Sequence, residues 1–416
     1  MAKLPHLAHR DPPVCCLISA GWDWLRYHPN ISMKAANAFL DAAQTQSVWI
    51  AETLRKLVLV ESPSDNKPAV DEAVQLTASL AEAIGGRVKL HKQKQFGDIL
   101  EARFGAARSS RKPILLLGHL DTVWPLGTLR TMPWRREEGR FFGPGVFDMK
   151  AGVTMALAAI RMLGELGVSR AGSSASALTL LLNSDEEMGS PVSRPITERL
   201  ALRSEAVLVL EPAQGLACKT ARKGVGEYRL HVTGVAAHSG VDFERGHSAI
   251  LELARLLQTV AGFTDPRMGR TVNPGVISGG TRSNVVAEHA TAEVDVRIAK
   301  ASDAAKVDKL FRGLRCADPK CKLEIAGGLN RPPMERKRGT VRLYKQARGL
   351  AAEIGFTLEE AATGGGSDGN FTAALGVPTL DGLGAVGEGA HAAHESVLIE
   401  HLVPRTALLA ALLATL

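Results

Sequence analysis

The sequence predicts an α/β protein, a largely parallel mixed sheet flanked by helices, with a small α+β unit inserted late in the chain. Three observations predict it. Apolar strand-like segments alternate with helical patterns over residues 87–210, as in parallel strands joined by crossover helices. After Cys218 the order becomes strand, helix, strand, strand, helix, strand, that of a ferredoxin-like unit. The length, 416 residues, is too great for one ordinary core.

The elements follow in order. Apolar residues at helical spacing run over 35–57, through Leu40, Val48, Ile50, Leu54 and Leu57. A second helix covers 69–84 and is closed by Gly85-Gly86. Strand-like segments come next at 87–90, 99–104 and 114–117. The small apolar residues of 151–166 suit a helix packed closely on a sheet. A strand over 177–182, a helix over 192–202 and a strand over 206–210 complete the alternation. The inserted unit has strands at 226–232, 271–277, 290–298 and 322–325, with helices at 248–260 and 302–314. Gly327-Gly328 and Arg331-Pro332-Pro333 mark the return. A helix over 340–354, a loop over 363–370 and a terminal helix follow. The expected organisation is an extension at 1–32, a main domain at 33–221 and 335–416, and an insert at 222–334.

Composition narrows the function. Hydrophobic residues make up 45% and charged ones 22%, ordinary for a globular chain. The net charge of +7 comes without a dense Lys/Arg block, and only three Tyr are present. That argues against nucleic-acid binding and for attraction of small anionic substrates. Five Cys, an odd count without paired zinc-knuckle spacing, read as reduced thiols. No apolar run is long enough to cross a membrane. The apolar stretch 13–20 is broken by Trp22-Asp23-Trp24-Leu25-Arg26, so no signal peptide is read and a cytoplasmic location is expected.

Five segments carry the chemistry. Leu117-Gly118-His119-Leu120-Asp121 ends an apolar strand, so His119 and Asp121 point the same way into the crevice where ligands sit. Gly143-Pro144-Gly145-Val146-Phe147-Asp148-Met149-Lys150, Ser184-Asp185-Glu186-Glu187, Leu210-Glu211-Pro212 and His391-Ala392-Ala393-His394-Glu395 follow. His119, Asp148, Glu187, Glu211 and His391 offer the nitrogen and oxygen donors of a two-metal hydrolase. Asp121 is placed to hold the imidazole N–H of His119. Glu186, beside Glu187, is free to act as general base. Singly, each segment has a plainer explanation: a hydrogen-bonded loop pair, a solvated acidic patch, or a helix cap at Asp148. Jointly the plain explanations need five coincidences in order.

These segments, in this order and with an α+β unit before the last, resemble the two-zinc aminoacylase/carboxypeptidase family, and most of all its glutamate carboxypeptidases. The resemblance covers nearly everything after residue 35. It implies a zinc-peptidase catalytic domain and an inserted dimerisation (lid) domain. It implies two Zn2+, with Co2+ or Mn2+ as substitutes, bridged by Asp148. His119 and Glu211 complete one site, and Glu187 and His391 the other. His391 has the family spacing to Glu395, while His394 is adjacent to it. Glu186 becomes the base and Asp121 the orienting residue. His238, in the loop Gly234-Val235-Ala236-Ala237-His238-Ser239-Gly240, becomes an oxyanion donor, often to the partner of a homodimer. Asn284 and Arg297 become the anchor of a terminal carboxylate; the plainer reading of Arg297 is an ion pair with Asp295. Apart from the resemblance, Gly364-Gly365-Gly366-Ser367-Asp368 reads as a backbone-lined wall of the pocket, since the Lys-Ser/Thr that should follow in a phosphate loop is missing. The expected activity is removal of a C-terminal amino acid, glutamate foremost, from N-acyl or peptidyl substrates. A dipeptidase or N-acyl amino acid deacylase is the alternative within the family. A non-catalytic binding protein would need a lost ligand or base, and none is lost. No nucleic-acid or membrane partner is expected.

Overall fold

The computed structural model describes residues 33–105, 111–168 and 177–416; the expected extension at 1–32 lies outside them. The chain opens with α1 (Met33–Thr45), α2 (Ser47–Leu59) and α3 (Lys67–Ala83). The single helix expected over 35–57 is two. Phe39 and Ala43 of α1 enter one core, whereas Ile50, Leu54 and Val58 of α2 enter another. The break falls at Gln46, whose side chain donates to Glu165 Oε2 at 2.7 Å.

Next come β1 (Arg87–His91), β2 (Ile99–Phe104), β3 (Ile114–His119), β4 (Arg135–Glu137), β5 (Arg140–Phe142), α4 (Ala151–Glu165), β6 (Leu178–Asn183), α5 (Arg194–Leu202), β7 (Ala206–Val209) and β8 (Cys218–Arg222). The insert holds β9 (Gly224–Thr233), α6 (Ala249–Ala261), β10 (Thr271–Gly279), β11 (His289–Ile298), α7 (Ala304–Arg312) and β12 (Lys322–Arg331). The chain ends with α8 (Arg338–Ile354), β13 (Glu360–Thr363), α9 (Gly369–Ala374), β14 (Thr379–Leu380), β15 (Gly387–Glu388), β16 (Ser396–Leu398) and α10 (Ile399–Thr415).

The main sheet runs β1-β2-β6-β3-β7-β14. β6, β3, β7 and β14 are mutually parallel, and β1 and β2 run antiparallel at one edge. Side chains alternate across it. Leu100, Leu116, Leu180, Leu182 and Leu208 join the core that takes in α4 and α10, while Ile99, Leu115, Leu117, Leu181, Val207 and Val209 meet Ile196 and Leu200 of α5. With both faces covered, the strands read as continuous apolar runs. Each such fully buried side chain contributes about 1.5–3 kcal/mol relative to exposure. At its start α4 comes so near the end of β7 that only Gly152 fits: a Cβ there would lie 2.0 Å from the carbonyl oxygen of Leu210.

The insert is an antiparallel sheet ordered β10-β11-β9-β12. With its two helices it has the ferredoxin-like arrangement and its own core, in which Tyr228 and Phe311 stack at 3.8 Å. Arg222 and Met334 pair through both backbone hydrogen bonds, 3.0 Å each, where the chain leaves and returns. Two small sheets had no counterpart in the sequence: β13 pairs in parallel with β8, and a second sheet, ordered β15-β16-β5-β4, pairs Ser396–Leu398 with Arg140–Phe142. That pairing sets the C-terminal His-x-x-x-Glu segment beside the loop bearing Asp148.

Candidate metal centre

Three parallel strands end at one edge of the main sheet. His119 closes β3 and is in register with Asn183 at the end of β6; β7, on the other side of β3, stops just short of Glu211. The crevice beyond the C-terminal ends of parallel strands is where such sheets hold ligands. The turn Glu186–Met188 leaves β6 into it, and Asp148 enters just before α4.

The carboxylate of Asp148 lies between the two imidazoles. Its Oδ1 is 3.2 Å from His119 Nε2 and its Oδ2 is 3.6 Å from His391 Nε2. Glu211 Oε1 is 3.7 Å from His119 Nε2, and Glu187 Oε1 is 3.2 Å from His391 Nε2. His119, Asp148 and Glu187 form one group able to surround a cation; His119, Glu186 and Glu211 form another. His391 adopts a left-handed backbone, φ 62°, and is half exposed, while His394 faces solvent.

Asp121 acts on more than its neighbour. The Nδ1 of His119 meets the backbone carbonyl of Asp121 at 2.9 Å and its carboxylate only at 3.5 Å. The carbonyl therefore takes the ring N–H, leaving Nε2 free to face the cluster. The carboxylate of Asp121 accepts from the N–H groups of Glu186 and Glu187, 3.2 Å each, and from Ser64 Oγ at 2.7 Å. It thus ties the Glu186–Glu187 turn to the end of β3.

Two buried arginines complete the surroundings. Arg331, at the end of β12, donates to Glu186 Oε1 at 2.9 Å and to Ser190 Oγ at 3.0 Å, and pairs with Asp368. Arg222, at the end of β8, forms a two-pronged pair with Asp381 at 2.7 Å on each prong and lies 3.7 Å from Glu211 Oε2. Neither was singled out from sequence as part of the site. Arg331 read as a domain-return marker beside Pro332-Pro333, and nothing in its spacing points to Glu186, 145 positions away. Glu395, fully buried, also proves part of the site: it accepts hydrogen bonds from the loop that carries Asp148.

The expected substrate-side residues make no hydrogen bond or ion pair with the carboxylate cluster itself. His238 is exposed, and its Nδ1 accepts from Gly240 N–H at 3.1 Å. Asn284 is exposed, its backbone carbonyl accepting from Ser239 N–H at 3.0 Å. The guanidinium of Arg297 is paired with Asp295 at 2.9 Å, and its Nη1 donates to the carbonyl of Gly364 at 3.3 Å. It is not an unpaired cation awaiting an anion. The side chain of Ser367 is fully buried and its hydroxyl donates to Asp381 Oδ2 at 2.6 Å, so only its backbone is left to line a pocket. The carbonyls of Gly365 and Gly366 turn to Arg222, at 3.2 and 3.0 Å.

The electrostatics suit a cation. Burial, and then the charge of Asp148, push Glu211 up to about 7. Burial drives Glu186 well above the carboxylate range against the pull of Arg331. Hydrogen bonds to Asp148 and Glu187 push His391 up to about 10. Burial opposes protonation of His119, yet Asp121 and Asp148 raise it well above the usual imidazole range. Four carboxylates and two imidazoles share one crevice, with Arg331 on Glu186 and Arg222 beside Glu211 supplying positive charge from one side. Divalent cations would supply that charge directly, with the N/O donors that zinc takes.

The sequence profile of peptidase family M20/M25/M40 matches residues 115–415. Carboxypeptidase G2 of Pseudomonas sp. (strain RS-16) is 28% identical over 388 residues, 92% of each chain. Succinyl-diaminopimelate desuccinylase of Acidovorax ebreus (strain TPSY) is 28% identical over 325 residues, 73% of this chain and 80% of that one. Among solved structures, aminopeptidase PepT of Bacillus cereus ATCC 10987 shares the fold with a TM-score of 0.72 at 22% identity, covering 89% of this chain and 98% of its own.

Proposed function

This chain belongs to peptidase family M20/M25/M40, and on that premise we propose that it is a two-zinc carboxypeptidase that cleaves the amide bond to a C-terminal amino acid, glutamate foremost, of N-acyl or peptidyl substrates. The observation that carries the reading is Asp148, which presents one oxygen to His119 and the other to His391. His119 and Glu211 would hold one ion, and Glu187 and His391 the other. Co2+ or Mn2+ would fit the same N/O donor set. Bound there, the ions would polarise the scissile carbonyl and lower the pKa of a water enough for attack near neutral pH.

The chain's own residues do the rest. Glu186 takes a proton from the attacking water and passes it to the leaving amine nitrogen. Asp121 and Arg331 fix where that carboxylate stands, one through its backbone N–H and the other through its Oε1. His238 carries its ring proton on Nε2, because Nδ1 already accepts from Gly240. It is therefore a ready donor to a developing oxyanion. Arg297 binds the terminal carboxylate by exchanging Asp295 for it, assisted by Asn284.

A specific finding favours a second reading, N-acyl amino acid deacylation: the likeness to a desuccinylase. One panel tests both. The zinc-loaded protein is offered N-acyl glutamate, N-acyl alanine, the C-terminal amide of each, and a dipeptide. A charged hydrogen-bonded contact is worth about 1.5–3 kcal/mol, so kcat/KM for the acids should exceed that for the amides by about tenfold or more. Amides cleaved as fast as acids overturn the carboxypeptidase reading. Preference for the dipeptide makes the protein a dipeptidase.

A further inference from the structure

We infer that Glu395 is the positioning residue for Asp148, and through it for both halves of the metal centre. Three backbone N–H groups of the Asp148 loop converge on its carboxylate. Oε1 accepts from Phe147 at 2.8 Å and Asp148 at 3.0 Å; Oε2 accepts from Gly145 at 2.9 Å and from the indole Nε1 of Trp124 at 2.7 Å. Each oxygen has two donors, the full capacity of an ionised carboxylate.

The loop needs such an acceptor. Gly145 is left-handed, φ 70°, and Asp148 and Met149 have extended φ values of −115° and −133°. No helical turn supplies carbonyls for these three N–H groups, and buried N–H groups are costly to leave unpaired. Glu395 answers all three from one side chain. Its placement also links the parts of the centre. Trp124 stands five residues after His119, and Glu395 four after His391. The segments that bring His119, Asp148 and His391 therefore meet at one buried carboxylate. A shift of Glu395 would move the Asp148 oxygens relative to both imidazoles at once.

This inference rests on the reading that Asp148 bridges two cations. Its test is Zn2+ binding by the metal-stripped protein, measured against a competing chromophoric chelator, with thermal unfolding of the stripped protein in parallel. The parent should take up two Zn2+. Glu395→Gln keeps the size but sets an amide NH2 against N–H donors. It should weaken Zn2+ binding at both positions by about tenfold or more, the usual cost of losing an outer partner of a ligand. Its kcat should fall while KM changes little. A lower melting temperature with unchanged Zn2+ affinity would mean a merely structural role and overturn the inference. Should Glu395→Gln fail to fold, Trp124→Phe removes one donor of the four and should weaken Zn2+ binding about threefold or more; unchanged affinity there overturns it equally. A parent that takes up no Zn2+ overturns the metal reading and this inference together, whereas a parent that binds two, matched by Glu395→Gln, overturns this inference alone.

Discussion

Glu186 and Glu187 are neighbours in sequence with opposite surroundings. Glu187 turns to His391, 3.2 Å away, while Glu186 turns to the buried guanidinium of Arg331 at 2.9 Å. Asp121 holds both backbone N–H groups, so the two side chains must diverge from a fixed turn. Glu186→Gln keeps the shape and the contact with Arg331 through its amide oxygen but cannot take a proton. Turnover should fall by about a hundredfold or more, the contribution of a positioned base, while zinc content stays at the parental level. Zinc loss equal to that of Glu187→Gln would exchange the two roles. At this scale the strand-end donors were legible, because His119, Asp148, Glu187 and Glu211 each sit in a local pattern of apolar strand and turn. Arg222, Arg331 and the true partners of Glu395 were not. Their contacts span 145 positions for Arg331 and Glu186 and 159 for Arg222 and Asp381. Local periodicity does not say which buried cation meets which carboxylate.

The long elements were legible because burial on both sheet faces writes itself as continuous apolar runs, and amphipathic helices as 3.6-residue spacing. The short ones were not. Arg140–Phe142 and Ser396–Leu398 are too brief to show a period, yet their pairing places His391. The division of the first helical pattern was hidden too, since both halves carry apolar residues at helical spacing: Leu57 of α2 shares the core of Phe39 and Ala43, while Ile50, Leu54 and Val58 enter another. The contact between α4 and β7 gives a prediction of sign. Gly152→Ala would set a methyl 2.0 Å from the Leu210 carbonyl, one residue from Glu211, and should lower stability by about 1–3 kcal/mol as the helix is forced outward. Gly164→Ala, in the same helix with nothing within 4 Å of the new methyl, should raise it by up to about 1 kcal/mol. Urea unfolding of the pair decides it: a Gly152→Ala protein as stable as the parent, or more so, would mean that α4 does not pack on β7 as closely as described.

The molecule as a whole leaves the insert with surface to cover. Its outer strand β10 exposes Val276 and Ile277, each 57% accessible, and α6 exposes Leu251 at 58%. An edge strand with apolar side chains and unpaired backbone groups invites a second chain, and a two-fold pairing would make each subunit donate the same surface. His238 lies on this unit. Among the described residues its side chain has Gly240 as a polar partner and makes no polar contact with the carboxylate cluster. Both facts fit a homodimer in which His238 serves the partner's site. The arrangement is tested by complementation. His238→Ala and Glu186→Gln should each be nearly inactive alone. Mixed under conditions that let subunits exchange, they form dimers in which one site unites an intact Glu186 with the partner's intact His238, while the other site lacks both. Half of the dimers are mixed at equal concentrations and half of their sites are whole, so about a quarter of parental activity should return if assembly is random. If His238 serves its own subunit, every site keeps one lesion and mixing restores nothing. Light scattering on the same samples separates that result from a simple absence of dimers: a monomer removes the trans arrangement, while a dimer without rescue leaves the interface in place and returns His238 to the site of its own chain.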